Sequence, residues 1–382
     1  MRRELVLAWH VHQPFFVPDE ELREQIERSY RPLLALHREL DVRFCLNVTG
    51  ALLERMALLA PDVIELLREE IAIGRVEPLA SGKCHPLLPL VPHARARAQV
   101  RADVAIKERV LGVRPRGFWP ADLGWCHSLV DVVAEAGVRW ITADSSAKVA
   151  AASLPAWSPA VTGGHRVLAP DLAPLVSSAE LGEVHRLELG DRSVCALLRH
   201  HELSWDLVDL QDGALHRPDR LEPFVESVLA HYEAGANLLM LGDDGERVHP
   251  QTLASYRRVL EALREREVAF VTGSEALASR EARATPIYLP ASTFLVDFAA
   301  WRTTPDDLVC WRQLEEVERL FEEVARAAPE APALGELNEI LLDCEDSAFT
   351  FWKYLRRTRE PFHARLAELR VRLRALRNRS TS

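Results

Sequence analysis

Two histidines one residue apart follow an apolar run near the start of the chain: Leu5-Val6-Leu7-Ala8-Trp9 leads into His10-Val11-His12-Gln13-Pro14. Residues i and i+2 of a strand point to the same side, so the two imidazoles can share one cavity. Pro14 stops strand pairing and places them where a buried parallel strand empties into a loop. That edge carries the chemistry in parallel α/β folds. Taken alone, the pair fits a metal site, a substrate-binding pair or two hydrogen-bonded histidines at a strand end.

Three more polar clusters stand at the ends of apolar strands. Ser81-Gly82-Lys83-Cys84-His85-Pro86 follows Val76-Glu77-Pro78-Leu79 and presents a histidine before a proline. In Trp119-Pro120-Ala121-Asp122-Leu123-Gly124-Trp125 a carboxylate sits between two tryptophans. Leu238-Leu239-Met240-Leu241-Gly242 runs into Asp243-Asp244-Gly245-Glu246, three carboxylates in four residues. Glycosidic cleavage in most families needs two carboxylates flanking the bond, and aromatic faces supply a flat apolar surface for a sugar ring. An acid at Asp244 needs a raised pKa, which Asp243 and Glu246 can provide by like-charge repulsion. Each cluster has a plainer reading: Asp-Asp-Gly-Glu as a turn, Trp119 and Trp125 as core residues. Four strand-end clusters together favour sugar chemistry.

The elements that must hold these groups follow from periodicity. Apolar runs at 4–9, 43–48, 76–79, 116–119, 139–142, 194–198, 237–241 and 268–271 read as strands, and 20–40, 51–72, 93–111, 127–137, 220–234 and 252–266 read as helices. Such alternation implies parallel strands joined by right-handed crossovers, and seven or eight units favour a closed barrel over an open sheet. The segment 143–193, rich in Pro and Gly, breaks the rhythm and reads as an insertion over the barrel mouth. After residue 298 the strand signals stop. Helical patterns at 305–327, 333–343 and 349–379 make 299–382 a helical cap on a barrel of residues 1–298. Leu366, Leu369, Leu373 and Leu376 form one apolar stripe among arginines, which reads as a docking helix with a solvated charged face.

Composition narrows the partners. The 382 residues carry 47 Lys and Arg against 57 Asp and Glu, a net charge of −10, which argues against a nucleic-acid surface. No run of about 20 apolar residues is present to span a membrane. The short apolar run after Arg2-Arg3 leads into His10 rather than a small-residue cleavage site, so no secretory leader is expected. Six cysteines without CxxC spacing match reduced thiols in a cytoplasm.

In order along the chain, H-x-H-Q-P, a Glu followed by S-G-x-x-H-P-x-L-P, W-P-x-carboxylate-x-x-W and D-D-G-E resemble glycoside hydrolase family 57. Asn47-Val48-Thr49-Gly50-Ala51-Leu52-Leu53-Glu54 is similar to that family's N-x-T-x-x-L-L-E, and Tyr288-Leu289-Pro290-Ala291-Ser292 to its Y-L-P-x-x-S. Asp343-Cys344-Glu345-Asp346-Ser347 before Phe349 and Trp352 resembles a weaker E-x-S-D-x-x-W pattern. The resemblance implies an α/β fold, a distorted (β/α)7 barrel with a C-terminal helical region, acting on α-glucans by a retaining double displacement without a cofactor.

It also implies roles. Asp122 falls on the nucleophile, Asp244 on the acid/base, and His10, His12 and Glu77 on the subsite of the reacting sugar, with His85 close by. The expected binding set is His10, His12, Gln13, Glu77, His85, Trp119, Trp125, Asp243, Glu246 and Trp301, with no metal, and the expected ligand is an α-glucan or maltooligosaccharide. Trp157, Trp301 and Trp352 are candidates for acceptor subsites. Two departures stand out. Position 122 is Asp where the family has Glu, retracting the carboxylate by about 1.5 Å. Arg199-His200-His201-Glu202-Leu203-Ser204-Trp205-Asp206 replaces R-D-x-x-L-S-D, with His200 for Asp and Trp205 inserted. The rival readings are a catalytically weakened carbohydrate-binding protein and a metal-dependent, deacetylase-like hydrolase using His10, His12 and an Asp.

Overall fold

The computed structural model describes residues 2–147, 177–213, 220–351 and 356–380. Seven parallel strands close into a ring: β1 (Arg3–Val11), β2 (Phe44–Val48), β3 (Val76–Ala80), β4 (Gly117–Phe118), β5 (Trp140–Asp144), β7 (Arg192–Arg199) and β8 (Leu238–Asp244). They pair in the order β7-β5-β4-β3-β2-β1-β8, and Arg199 of β7 meets Met240 of β8 to shut the barrel. Helices fill the crossovers and surround the ring, and further helices follow to the C-terminus.

Strand parity explains the packing. Leu5, Leu7, Trp9 and Val11 of β1 face the outer helices in one apolar core, whereas Val6 and Ala8 join Leu79, Leu197 and Met240 inside the barrel. His10 has the parity of Val6 and Ala8, so it follows them to the inner mouth. The strand is buried along nearly its whole length, as the unbroken apolar run requires.

The eighth apolar run forms β9 (Val268–Phe270), which pairs only with Arg3, Glu4 and Leu5 at the start of β1 and stays off the ring. The expected helix 51–72 is two, Gly50–Leu59 and Pro61–Ala72, because Pro61 cannot continue the first and instead opens the second. Within the segment expected as an insertion, 148–176 lies outside the described residues. Its later part forms a helical turn and β6 (Val184–Leu189), which runs antiparallel to β7 through a two-residue turn at Gly190-Asp191. Gly190 has φ +61°, a conformation that hairpin turns of this length require. A short β10 (Thr285–Pro286) extends the sheet beyond β6.

The C-terminal helices Pro305–Ala327, Leu334–Cys344 and Arg356–Ser380 share a core with the barrel helices His93–Leu111 and Val130–Glu135. Thr304 and Asp307 form a reciprocal capping box that starts the first of them, with Pro305 in its first turn. Leu366, Leu369 and Leu373 are buried in that core and Leu376 packs at its edge. Arg370 and Arg372 pair with Glu316 and Glu336 of the two preceding helices, so the basic face is partly neutralised.

The buried Arg95–Glu345 ion pair links the first turn of His93–Leu111 to the segment that carries Asp346 and Ser347. Removing one member leaves a charge buried without its partner. We expect Arg95→Met to lower stability by about 3–5 kcal/mol, read from the urea midpoint. An unchanged midpoint would show that the pair holds nothing.

Candidate active site

A cavity of about 380 Å³ opens at the C-terminal ends of the barrel strands, within the range of small-molecule sites. His10 and His12 reach it from the end of β1, and Asp243, Asp244 and Glu246 from the end of β8. Trp119 and Asp122 come from the turn after β4, and His85 from the turn after β3. Trp119 lies beside Gly242, where a Cβ would stand 2.5 Å from the Ala8 carbonyl and 3.0 Å from the indole.

The imidazoles form a pile. His10 stacks on Trp119 at 5.9 Å, His85 on His10 at 4.8 Å and His12 on His85 at 4.4 Å. Their protons can be placed. Asn47 donates its amide to the Leu79 carbonyl, leaving its oxygen 2.8 Å from His10 Nδ1. His10 therefore donates from Nδ1 and keeps a lone pair on Nε2. His12 is committed at both nitrogens, Nδ1 to Thr49 Oγ1 and Nε2 to Asp346 Oδ2, each at 3.0 Å. Burial and the neighbouring imidazoles hold His10 well below its usual range, and burial lowers His12 to about 3. Burial likewise raises Asp346 well above the ordinary carboxylate range, so a neutral pair shares one proton.

His12, His85 and Asp346 also bring donor atoms within 4.8 Å of one another. An ion about 2 Å from each nitrogen has to lie in both ring planes. The His12 and His85 planes are 9° from parallel and stacked, so they do not converge on one point. His10 and His12, the pair expected for a deacetylase-like site, are stacked as well, 6.4 Å apart and 20° from parallel, so that reading is not favoured.

The carboxylates are crowded. Burial pushes Asp122 up to about 7, opposed by a hydrogen bond from the Ser347 hydroxyl at 2.7 Å and by the Trp301 indole. Asp244 is exposed at the cavity mouth, with protein packed densely around it. Burial raises it well above the usual range, and the charges of Asp243, Glu246 and Asp122 add to the shift. Asp122 and Asp244 thus share one cavity and one field. Glu246 accepts from Tyr30 Oη at 2.6 Å, the His12 backbone N–H at 3.1 Å and Gln13 at 3.4 Å. Asp243 lies between the guanidinium groups of Arg199, at 3.9 Å, and Arg247, at 3.6 Å.

Three members of the expected set do not line the cavity. Glu77 is the second residue of β3, about 10 Å below the strand's C-terminal end. There it accepts from Trp140 Nε1 at 3.0 Å and from the Ser274 amide and hydroxyl, inside the opposite end of the barrel. Trp125 is buried in the helical core, its backbone paired with Ser292. Trp301 is fully buried behind Asp122 rather than on the cavity wall. Trp157 and Trp352 lie outside the described residues.

The cavity adds residues that the expected set lacks: Arg199, Trp205, Arg247, Phe294 and Ser347. Arg199 ends β7, so the strand-end rule that found the other clusters reaches it too. Its guanidinium binds the Gly242 carbonyl at 2.6 Å and Asp144 at 2.5 Å. Against the cost of burial, His201 and Arg199 hold Asp144 far below the usual carboxylate range. Phe294 and Ser347 arrive from segments remote in sequence that carry no local signal beyond the weaker motifs.

Residues 6–290 match the profile of glycosyl hydrolase family 57. The chain belongs to that family. It is 30% identical over 146 residues to a 4-alpha-glucanotransferase of Thermococcus litoralis and 27% over 144 residues to an alpha-amylase of Pyrococcus horikoshii. Each match covers 37% of this chain and under a quarter of the relative, 22% and 23%. The fold is similar to a GH57-type branching enzyme from Pyrococcus horikoshii, with a TM-score of 0.76, 16% identity, and 97% of this chain and 88% of that one covered. It is also similar to the alpha-amylase AmyC from Thermotoga maritima, with a TM-score of 0.72 at 16% identity over 100% of this chain and 94% of that one.

The neutral imidazoles make stability depend on pH. An unfolded His12 titrates near 6.5 and the folded one at about 3, so acid stabilises the unfolded chain and stability falls from pH 6.5 downward. We expect His12→Gln to flatten the fall of the urea midpoint between pH 6.5 and 4. Equal slopes would place that ring in water.

Proposed function

We propose that this chain is an α-glucan-active enzyme that works by retaining double displacement, with Asp122 as nucleophile and Asp244 as acid and then base. The observation that carries the reading is that two carboxyl groups from separate strand ends, β4 and β8, line one cavity and act on each other's charge. Family membership supplies the reaction class, and the named relatives, an amylase and a glucanotransferase, supply the substrate class.

Asp122 attacks the anomeric carbon while protonated Asp244 gives its proton to the leaving glycosidic oxygen. Asp244, now charged, takes a proton from water or from an acceptor hydroxyl, whose oxygen displaces Asp122 and restores both groups. Asp243 and Glu246 favour the protonated acid at the start, since their charges oppose a third. His10 offers a lone pair at Nε2, so it accepts a hydrogen bond and its natural partner is a sugar hydroxyl. Trp119, at the end of the ring pile, offers an apolar face for a pyranose.

Hydrolysis and transfer differ only in the acceptor. Trp205 and Phe294, 6.0 Å apart on the cavity wall, form an apolar border that favours a sugar acceptor over water. Five buried free cysteines suit a reducing compartment such as the cytoplasm, and among the described residues no helix is long and apolar enough to cross a membrane.

Asp122→Asn and Asp244→Asn are each expected to abolish product formation from maltooligosaccharides and amylose, with the anomeric configuration retained by the unmodified enzyme. Full activity in either variant removes that residue from its role. The acidic limb of kcat/KM should lie near pH 7, because Asp122 must be ionised to attack and titrates there. A limb near pH 4 would show a nucleophile in ordinary solvent. Asp122→Glu should lower turnover, since the longer side chain must enter a left-handed backbone site built for Asp. A gain would support the weakened-catalyst alternative.

A further inference from the structure

Three residues that line the site hold backbone conformations that L side chains rarely adopt: His85 at φ +55° and, side by side, Asp122 at φ +52° and Leu123 at φ +49°. They lie on different loops, after β3 and after β4. One residue from the C-terminal helical region joins them. The Ser347 hydroxyl donates to Asp122 Oδ2 at 2.7 Å and lies 3.0 Å from His85 Nδ1. Since that hydroxyl proton goes to the carboxylate, the oxygen accepts from His85 Nδ1–H, and the direction of the whole chain is fixed: imidazole to hydroxyl to carboxylate.

Ser347 is itself pinned. Its backbone N–H donates to the His85 carbonyl at 3.1 Å, and the neighbouring residues Pro86 and Asp346 form a β-bridge. The Ala348 N–H donates to Asp346 Oδ1 at 2.9 Å, which closes the turn that presents the hydroxyl. Ser347 is 1% exposed, so water does not stand in for it. Apart from Ser347, the Asp122 carboxylate has one other side-chain donor, the Trp301 indole, and the turn that carries it is held through its carbonyl by the Phe294 N–H at 3.1 Å.

We propose that Ser347, oriented by His85, is the positioning residue that aims the Asp122 carboxylate across the cavity and so compensates for the methylene that Asp lacks relative to Glu. The proposal rests on the reading of Asp122 as nucleophile. A carboxylate with one oxygen fixed by a buried donor keeps the other free along a single line of attack. Without that donor only the Trp301 indole is left to hold the carboxylate, and a reacting atom displaced by about 1 Å loses on the order of 100-fold in rate. The hydroxyl also favours the ionised carboxylate, so it keeps the nucleophile charged at a site where burial opposes charge. The C-terminal region therefore contributes to the reaction through an atom on the nucleophile.

The test uses 4-nitrophenyl maltooligosaccharide, whose leaving group needs little acid assistance, so that the attack of Asp122 is what is measured. Ser347→Ala is expected to lower kcat by about 10- to 100-fold with KM changed less than about twofold. It should also move the acidic limb of kcat/KM to higher pH, since loss of the donor raises the pKa of the carboxyl. Ser347→Cys keeps the volume with a weak donor, so the same loss in a smaller amount is expected even where Ala disturbs folding. Wild-type kcat and an unmoved acidic limb in both variants, with Asp122→Asn inactive, would overturn the role of Ser347 and leave Asp122 as nucleophile. Activity retained in Asp122→Asn would overturn the nucleophile itself, and the Ser347 proposal with it.

Discussion

The barrel closes through one pairing, and the residue that makes it also sets the charge at the site. Arg199 ends β7 where it meets Met240 of β8, and its guanidinium ties the Gly242 carbonyl of β8 to the Asp144 carboxylate of β5. Three strands are thereby fixed to one buried cation. A buried guanidinium is tolerated only with partners in good geometry. Asp144 and the Gly242 carbonyl meet that need, and Asp243 approaches within 3.9 Å. Closure of the ring and the position of the β8 carboxylates therefore depend on the same side chain.

From that closure follows the crowding of like groups that gives the cavity its chemistry. Asp243, Asp244 and Glu246 are forced together by one strand end, and Asp122 faces them from β4. Four acidic groups around one cavity cannot all ionise cheaply, and Asp122, Asp244 and Glu246 are all raised above the usual carboxylate range. The imidazoles on the β1 side respond to the opposite pressure. Burial strips their charge, and each neutral ring then donates at one nitrogen and accepts at the other. A polar cavity with retained protons, free lone pairs and flat aromatic faces suits a neutral polyhydroxylated ligand better than an ionic one.

Much of this was legible because strand parity is a local property. The run Leu5 to His12 tells which side chains face inward, and the four strand-end clusters fall on the rim where a parallel barrel must put them. What sequence could not supply was depth and distance. Glu77 has inward parity like Leu79, but it lies two residues earlier and so belongs to a lower layer of the barrel, where Trp140 and Ser274 consume its acceptors. Trp119 and Trp125 flank Asp122 symmetrically in sequence, yet the turn between them sends one to the cavity and the other to the helical core. Phe294 and Ser347 come from far along the chain, and only packing of the last helices brings them in. The β6–β7 hairpin was missed although Leu189-Gly190-Asp191-Arg192 carries the turn signal, because the Pro-rich stretch before it masked the alternation.

The aspartate at position 122 looks like a defect when compared with a glutamate pattern, but backbone and side chain change together there. Asp, with Asn, is among the few residues other than Gly that enter the left-handed region readily, because the short polar side chain can bond locally. Residue 122 is in that region, and so is Leu123 at φ +49°. A longer side chain on the same turn would start from an aim set for a shorter one. The turn is tight on its far side as well, since a Cβ on Gly124 would come within 2.4 Å of Leu87. A backbone this constrained cannot shift freely to accommodate another methylene. The sequence departure at 122, the left-handed turn and the donor from Ser347 are thus one structural solution, in which reach lost by the side chain is exchanged for a fixed direction.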